Sequence, residues 1–181
     1  MVNIVIIPSG RYVVDVGFGS NGAVLPLALK PDMNSPGIGP QEHRLRHTNI
    51  ASNSNSDQRL WIFQHRNSPD EEWTDTYCFT ELEFLPADYE IMSFWTSQSR
   101  KTFFTSMIVV VRMVLEGEEI VGTLILEGSG LKRRIKGKME QLGTFQTENE
   151  RVEALKKWFD IELSEEERGG IKGLVSQLPE A

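Results

Sequence analysis

Few side chains in this 181-residue chain are placed to do chemistry. One carboxylate, Asp15, lies inside the apolar run of RYVVDVGFGSNG, flanked by Val14 and Val16 and followed by a Gly17, Phe18, Gly19 turn. A carboxylate at a strand end ordinarily pairs with a basic group or accepts backbone N–H groups. In an apolar setting it also suits the orienting role of a catalytic triad, where it fixes the tautomer of a histidine and stabilises the imidazolium. The chain has three histidines, His43, His47 and His65. All lie beside arginine, in EHRLRH and QHR, where like charge disfavours protonation and strand alternation can put them on a wet face, so they read as surface or satisfied strand histidines. Cys78, the single cysteine, sits in TYCFT with no helix start or adjacent base. It reads as a small buried apolar residue, not a thiolate nucleophile. The residues alone therefore supply an orienting acid without a visible base or nucleophile.

Composition narrows the setting. A net charge of −7 weighs against nucleic acid or an anionic membrane as a whole-chain partner. The one basic run, Lys132, Arg133, Arg134, Lys136 and Lys138, alternates with Ile135 and glycine and reads as the wet face of a strand. One cysteine excludes an internal disulfide and a thiolate-rich zinc site, and no metal is expected. The apolar start lacks a basic leader and is interrupted by Pro8 and Gly10, which points to a cytoplasmic protein.

The elements that must hold Asp15 follow from hydropathy. Residues 2–7 and 11–16 are β-branched runs joined by PSG and should form an antiparallel hairpin. Residues 23–41, dense in proline and glycine, form a long irregular connection. EHRLRHTNI and QRLWIFQHR alternate polar with apolar residues, each with one side on a core and the other wet. DTYCFTELEFL is a further strand, and ADYEIMSFWTSQS a short helix begun by Asp88. Beyond Phe103 strands return as a meander with Glu-Gly turns. Thr147 with Glu150 makes a capping box ahead of a helix whose Val152, Leu155, Trp158 and Phe159 share a face, and Ser164 with Glu167 repeats the cap. The sum is an α+β plan.

Taken together, RYVVDVGFGSNG with VNIV upstream, QRLWIFQHR in the middle and YCFTELEFLPADYEIMSFWTSQS after it resemble an arylamine N-acetyltransferase of the fungal kind. The resemblance implies the second and third domains of that fold: an antiparallel β-barrel over residues 1–86, an interdomain helix over 87–102 and an α/β lid over 103–181. The helical first domain has no counterpart. The family moves an acetyl group from acetyl-coenzyme A to an arylamine or hydrazine through a cysteine, activated by a histidine that an aspartate orients. Asp15 matches that aspartate. The motif puts the histidine one residue ahead of Met1 and the cysteine farther upstream, so neither Cys78 nor any of the three histidines inherits those roles, and Met1 is expected to be an internal methionine of a longer ancestor.

Other positions carry over by resemblance. Phe18 matches an acceptor-pocket aromatic, with a core aromatic as its rival reading. Gly19 resembles a position near the acyl site, where a missing side chain lets substrate approach. Thr96, Ser97 and Ser99 match a hydroxyl cluster that contacts coenzyme A, although Gln98, Arg100 and Lys101 depart from the commoner proline-containing version; a helix carboxy-terminal cap is the alternative. Three readings stay open: the barrel and lid of a xenobiotic-metabolising acyltransferase, an incomplete gene product of such a locus, or a truncated, inactive relative that binds ligands or a full-length homologue.

Overall fold

The computed structural model describes residues 1–180. Strands β1 (Asn3–Ile7) and β2 (Gly10–Val14) pair antiparallel, and β3 (Leu27–Ala28) adds to β2. A second sheet has the order β4-β5-β6-β7, with β4 at Ser35–Pro36, β5 at Glu42–Thr48, β6 at Leu60–Arg66 and β7 at Thr74–Phe79. Helix α1 (Pro86–Gln98) and the short 3-10 turn Phe103–Thr105 follow. A meander of β8 (Val109–Glu116), β9 (Glu119–Glu127), β10 (Gly130–Ile135) and β11 (Lys138–Thr144) comes next, then α2 (Glu148–Phe159) and α3 (Glu165–Gly169).

The α+β class and the antiparallel hairpins are those the sequence implies, but the sheets are open, not a closed barrel. Pro26, Pro31, Pro36 and Pro40 explain why. Proline has no N–H to donate, so the connection between β2 and β5 pairs only in two-residue strands and in one bridge from Pro31 to Leu45. α1 starts at Pro86, with Asp88 two residues inside and its carboxylate accepting the Leu85 N–H at 2.8 Å. Both expected capping boxes form, at Thr147 and at Ser164.

The chain divides into two compact units, each with its own core. The first comprises Met1–Leu82 with the turn segments Leu115–Gly122 and Ile135–Lys138. Its core is Val13, Leu27, Leu45, Trp61 and Phe63. β6 is buried along both faces, where alternation predicted one wet side. The reason is a polar lid: Trp73 lies between the guanidinium groups of Arg44 and Arg66, 4.2 and 4.6 Å from its ring centre, and Arg44 donates to Gln64 at 2.7 Å. Glu81 accepts from the Trp61 indole at 2.8 Å and from Arg11, tying the end of β7 to β2.

The second unit holds Glu83–Val114, Thr123–Arg134 and Met139–Ala181. Leu124, Leu126 and Leu131 of the meander pack on Leu155 and Phe159 of α2. Lys132 pairs with Glu127 at 3.1 Å and Arg133 with Glu140 at 2.6 Å, but Arg134 is buried, so the basic run is not wholly the wet strand face its alternation suggested. Among the described residues no helix is long and apolar enough to cross a membrane.

Candidate functional site

Asp15 follows β2 where the chain turns out of the sheet, half-buried. Its Oδ1 accepts the Gly17 N–H at 3.0 Å, and the Tyr77 phenol on β7 lies within electrostatic reach of the same carboxylate. Burial, together with that negative neighbour, holds the Tyr77 phenol well above its ordinary range, so it stays a donor at any physiological pH. Among the described residues no cation pairs with Asp15. Its remaining lone pairs are free to accept an imidazole N–H, the group an orienting carboxylate serves.

An aromatic wall backs this carboxylate. Phe18 lies 5.3 Å from Tyr77 and 6.4 Å from Phe63, and Tyr77 stacks on Phe63 at 5.0 Å. Phe18 is itself exposed, so the wall has an open side. Gly19 has φ of +94°, which an L side chain resists, and a Cβ there would meet nothing within 4 Å. Backbone geometry and free space therefore coincide beside Phe18. Asp15, Phe18 and Gly19 thus come together in the first unit, and Tyr77 joins them unforeseen. Its signal was strand parity, since Tyr77 and Phe79 alternate with the outward Cys78.

Thr96, Ser97 and Ser99 belong to the second unit. Thr96 Oγ1 donates to the Met92 and Ser93 carbonyls at 3.2 and 3.1 Å, and Ser97 Oγ to the Phe94 carbonyl at 3.4 Å. Ser99 caps the helix, its N–H reaching the Trp95 carbonyl at 3.0 Å. The hydroxyl oxygens keep lone pairs for an incoming donor. Among the described residues no group of three or more histidine, cysteine or acidic side chains is gathered to hold a metal.

Two sequence expectations fail here. Cys78 is exposed, because its neighbours Tyr77 and Phe79 take the core side of β7. His43 is 0% exposed and neither ring nitrogen has a hydrogen-bond partner. It shares the parity of Leu45 on β5, which carried the inward face. His47 is exposed and stacks on Trp61 at 4.5 Å, while His65 Nδ1 bonds to Thr76 Oγ1 at 2.9 Å.

His43 packs 5.4 Å from Phe63, under a Gly37 whose Cβ would stand 2.7 Å from its Cε1. Burial first, and the adjacent His65 second, push its pKa down to about 4. The unfolded chain then binds a proton that the folded one refuses between pH 6.5 and 4. Stability is full above the unfolded value and falls as pH drops through this window, by on the order of 3 kcal/mol. Urea midpoints taken from about pH 7.5 to about pH 4.5 are expected to fall for the native protein and to fall distinctly less for His43→Phe. Parallel declines in the two proteins would rule His43 out as the cause.

Comparison with known proteins places these features. The N-acetyltransferase profile matches residues 1–168. The chain belongs to the arylamine N-acetyltransferase family. It is 37% identical to an N-malonyltransferase, FDB2, of Fusarium pseudograminearum, over 94% of this chain and 53% of that protein. The FDB2 protein of Gibberella moniliformis is 35% identical, with 94% and 52% covered. The chain thus spans about half the length of these relatives. Among solved structures, the arylamine N-acetyltransferase of Salmonella typhimurium superposes with a TM-score of 0.74 at 21% identity, covering 94% of this chain and 59% of that one. The Mycobacterium marinum enzyme, solved in complex with CoA, gives 0.70 at 22%, covering 88% and 53%. These likenesses establish the arylamine N-acetyltransferase fold for the portion present.

Proposed function

We propose that this chain is the aspartate-bearing part of an acyl-coenzyme A-dependent N-acyltransferase acting on an arylamine or hydrazine. The observation that carries the reading is the Asp15 carboxylate, held by the Gly17 N–H beside the Tyr77 phenol at the open edge of an aromatic wall. In this reading a cysteine and a histidine lie in the portion of the relatives that this chain does not span. Asp15 orients that histidine, which takes the thiol proton. The thiolate attacks the acyl thioester and expels coenzyme A, and the amine then takes the acyl group from the cysteine. Phe18 and Tyr77 offer a planar acceptor a stacking surface, and Gly19 leaves it room. Thr96, Ser97 and Ser99 contact coenzyme A, Thr96 and Ser97 through the oxygen lone pairs left by their bonds to helix carbonyls.

The donor is acetyl-coenzyme A in the family at large, and malonyl-coenzyme A is the second reading. The higher identity to proteins named N-malonyltransferases favours the second. The test joins the unspanned portion of the F. pseudograminearum relative to this chain and supplies each donor with an arylamine, product being separated by chromatography. N-acylated amine is expected from at least one donor. A folded, monodisperse fusion that acylates nothing from either donor would refute the proposal.

A further inference from the structure

The turn that carries Phe18 and Gly19 is weakly held by its own sequence. It leaves the sheet after Val14, contains Gly17, Gly19 and Gly22, and closes on itself through the Gly22 N–H, which donates to the Gly19 carbonyl at 3.0 Å. Glycine gives a chain more conformations than any other residue, so a segment this rich in it keeps one shape only where something outside ties it down.

The outside tie is Gln41. Its Nε2 donates to Asn21 Oδ1 at 3.4 Å, inside the Gly19–Gly22 turn, and to Asn67 Oδ1 at 3.2 Å in the loop after β6. Asn67 in turn donates to Glu71 at 3.2 Å. One amide thus joins the turn to a second segment of the first unit. Gln41 is 2% exposed, and its Oε1 has no hydrogen-bond partner. Burying an amide with its carbonyl unpaired costs free energy that a leucine of similar size would not cost. What the glutamine supplies, and an apolar residue cannot, is the donor that reaches Asn21.

Gln41 can anchor because its own backbone is fixed. The Gly37 N–H donates to the Gln41 carbonyl at 2.8 Å and the Gln41 N–H to the Ile38 carbonyl at 3.2 Å, which closes a tight turn ahead of β5. A Cβ on Gly37 would stand 2.8 Å from that of Gln41 and 2.7 Å from His43 Cε1. Pro40 packs on Gly137 of the β10–β11 turn, part of the same unit, where a Cβ would lie 2.7 Å from the proline Cγ. A rigid turn therefore ends in the amide that grips a pliable one.

Resting on the acceptor site proposed above, we infer that Gln41 is a positioning residue for the amine acceptor. Through Asn21 it holds the Gly19–Gly22 turn so that Phe18 keeps its place against Tyr77 and the space over Gly19 stays open. Its effect belongs to the second half-reaction. Loosening the acceptor wall weakens capture of the amine and leaves acyl transfer from coenzyme A to the enzyme unchanged.

Two measurements test this, and the first needs no turnover. Amide hydrogen exchange of the whole chain, read by mass spectrometry over residues 15–24, is expected to quicken about five- to tenfold in Gln41→Leu, while Leu60–Arg66 of β6 keeps its protection. Asn21→Ala cuts the same bond from a half-buried position and should quicken exchange alike, and the double variant should add nothing further. In the fusion with the unspanned portion of the Fusarium relative, both variants are expected to raise KM for the arylamine about five- to tenfold, with kcat/KM for the acyl donor unchanged. Unaltered exchange over residues 15–24 in Gln41→Leu would overturn the inference. So would an active fusion whose amine KM ignores both variants, or whose acyl-donor kinetics fall in step with it. A parent fusion that acylates no amine instead refutes the reading of the site as an acyltransferase half and the acceptor role with it, and the exchange result then decides the tether by itself.

Discussion

Replacing Arg151 with alanine is expected to lower stability by about 3–5 kcal/mol, read as the shift in a urea transition followed by circular dichroism. Arg151 is 1% exposed and sits in the first turns of α2. Its Nε donates to Glu148 Oε1 at 3.0 Å and Nη2 pairs with the other oxygen of that carboxylate. Nη1 reaches the Gly128 carbonyl at 3.2 Å and Nη2 the Ser176 carbonyl at 2.9 Å. One guanidinium thereby joins α2, the β9–β10 turn and the carboxy-terminal segment, and Glu148 also accepts the Leu178 N–H at 3.1 Å. Alanine would leave a mostly buried carboxylate and two carbonyls without their donor, and an uncompensated buried charge dominates the loss. Arg151→Met keeps most of the side-chain volume and is expected to lose nearly as much. The pair Arg151→Met with Glu148→Leu should recover much of it, since removing both charges removes the penalty. A loss below about 1 kcal/mol for Arg151→Ala would show that the cluster carries little stability.

The second large effect concerns Asp15. In the fusion with the unspanned portion of the Fusarium relative, the proposed role predicts that Asp15→Asn lowers kcat by about 10⁴-fold, because an amide neither stabilises an imidazolium nor selects the productive tautomer. Tyr77→Phe, which removes the polar hydroxyl near the carboxylate and keeps the stack on Phe63, should reduce kcat by about 10- to 100-fold. KM for the amine should change little in both, since neither substitution alters the Phe18 wall. Melting temperatures within a few degrees of the parent would show that the losses are chemical and not structural. A fall of less than about tenfold for Asp15→Asn would remove the orienting role, and with it the reading of this site as an acyltransferase half.

Much of the protein was legible in its sequence because local rules govern it. The β1–β2 hairpin follows from β-branched runs about PSG, the two capping boxes from Thr147 with Glu150 and Ser164 with Glu167, and the meander from its turns. The Asp15 motif and its companion stretches pointed to the family, since each rests on contiguous residues. What the sequence left open were facts about faces. His43 and Cys78 were assigned to the wrong sides of their strands, although the parity of Leu45, Tyr77 and Phe79 carried the answer. Arg151 was not singled out from the sequence, and its pairing with Glu148 came from the structure. Its burial depends on carbonyls twenty-odd residues away in sequence, at Gly128 and Ser176.

Local preference and hydrophobic period thus determined which elements form, and a contiguous motif singled out the acid Asp15. Tertiary structure alone decided how that acid is held and that β6 is covered on both faces. The physical reason is that burial and hydrogen-bond satisfaction belong to surfaces brought together from distant parts of the chain, and no period along a single strand or helix encodes what will lie across from it.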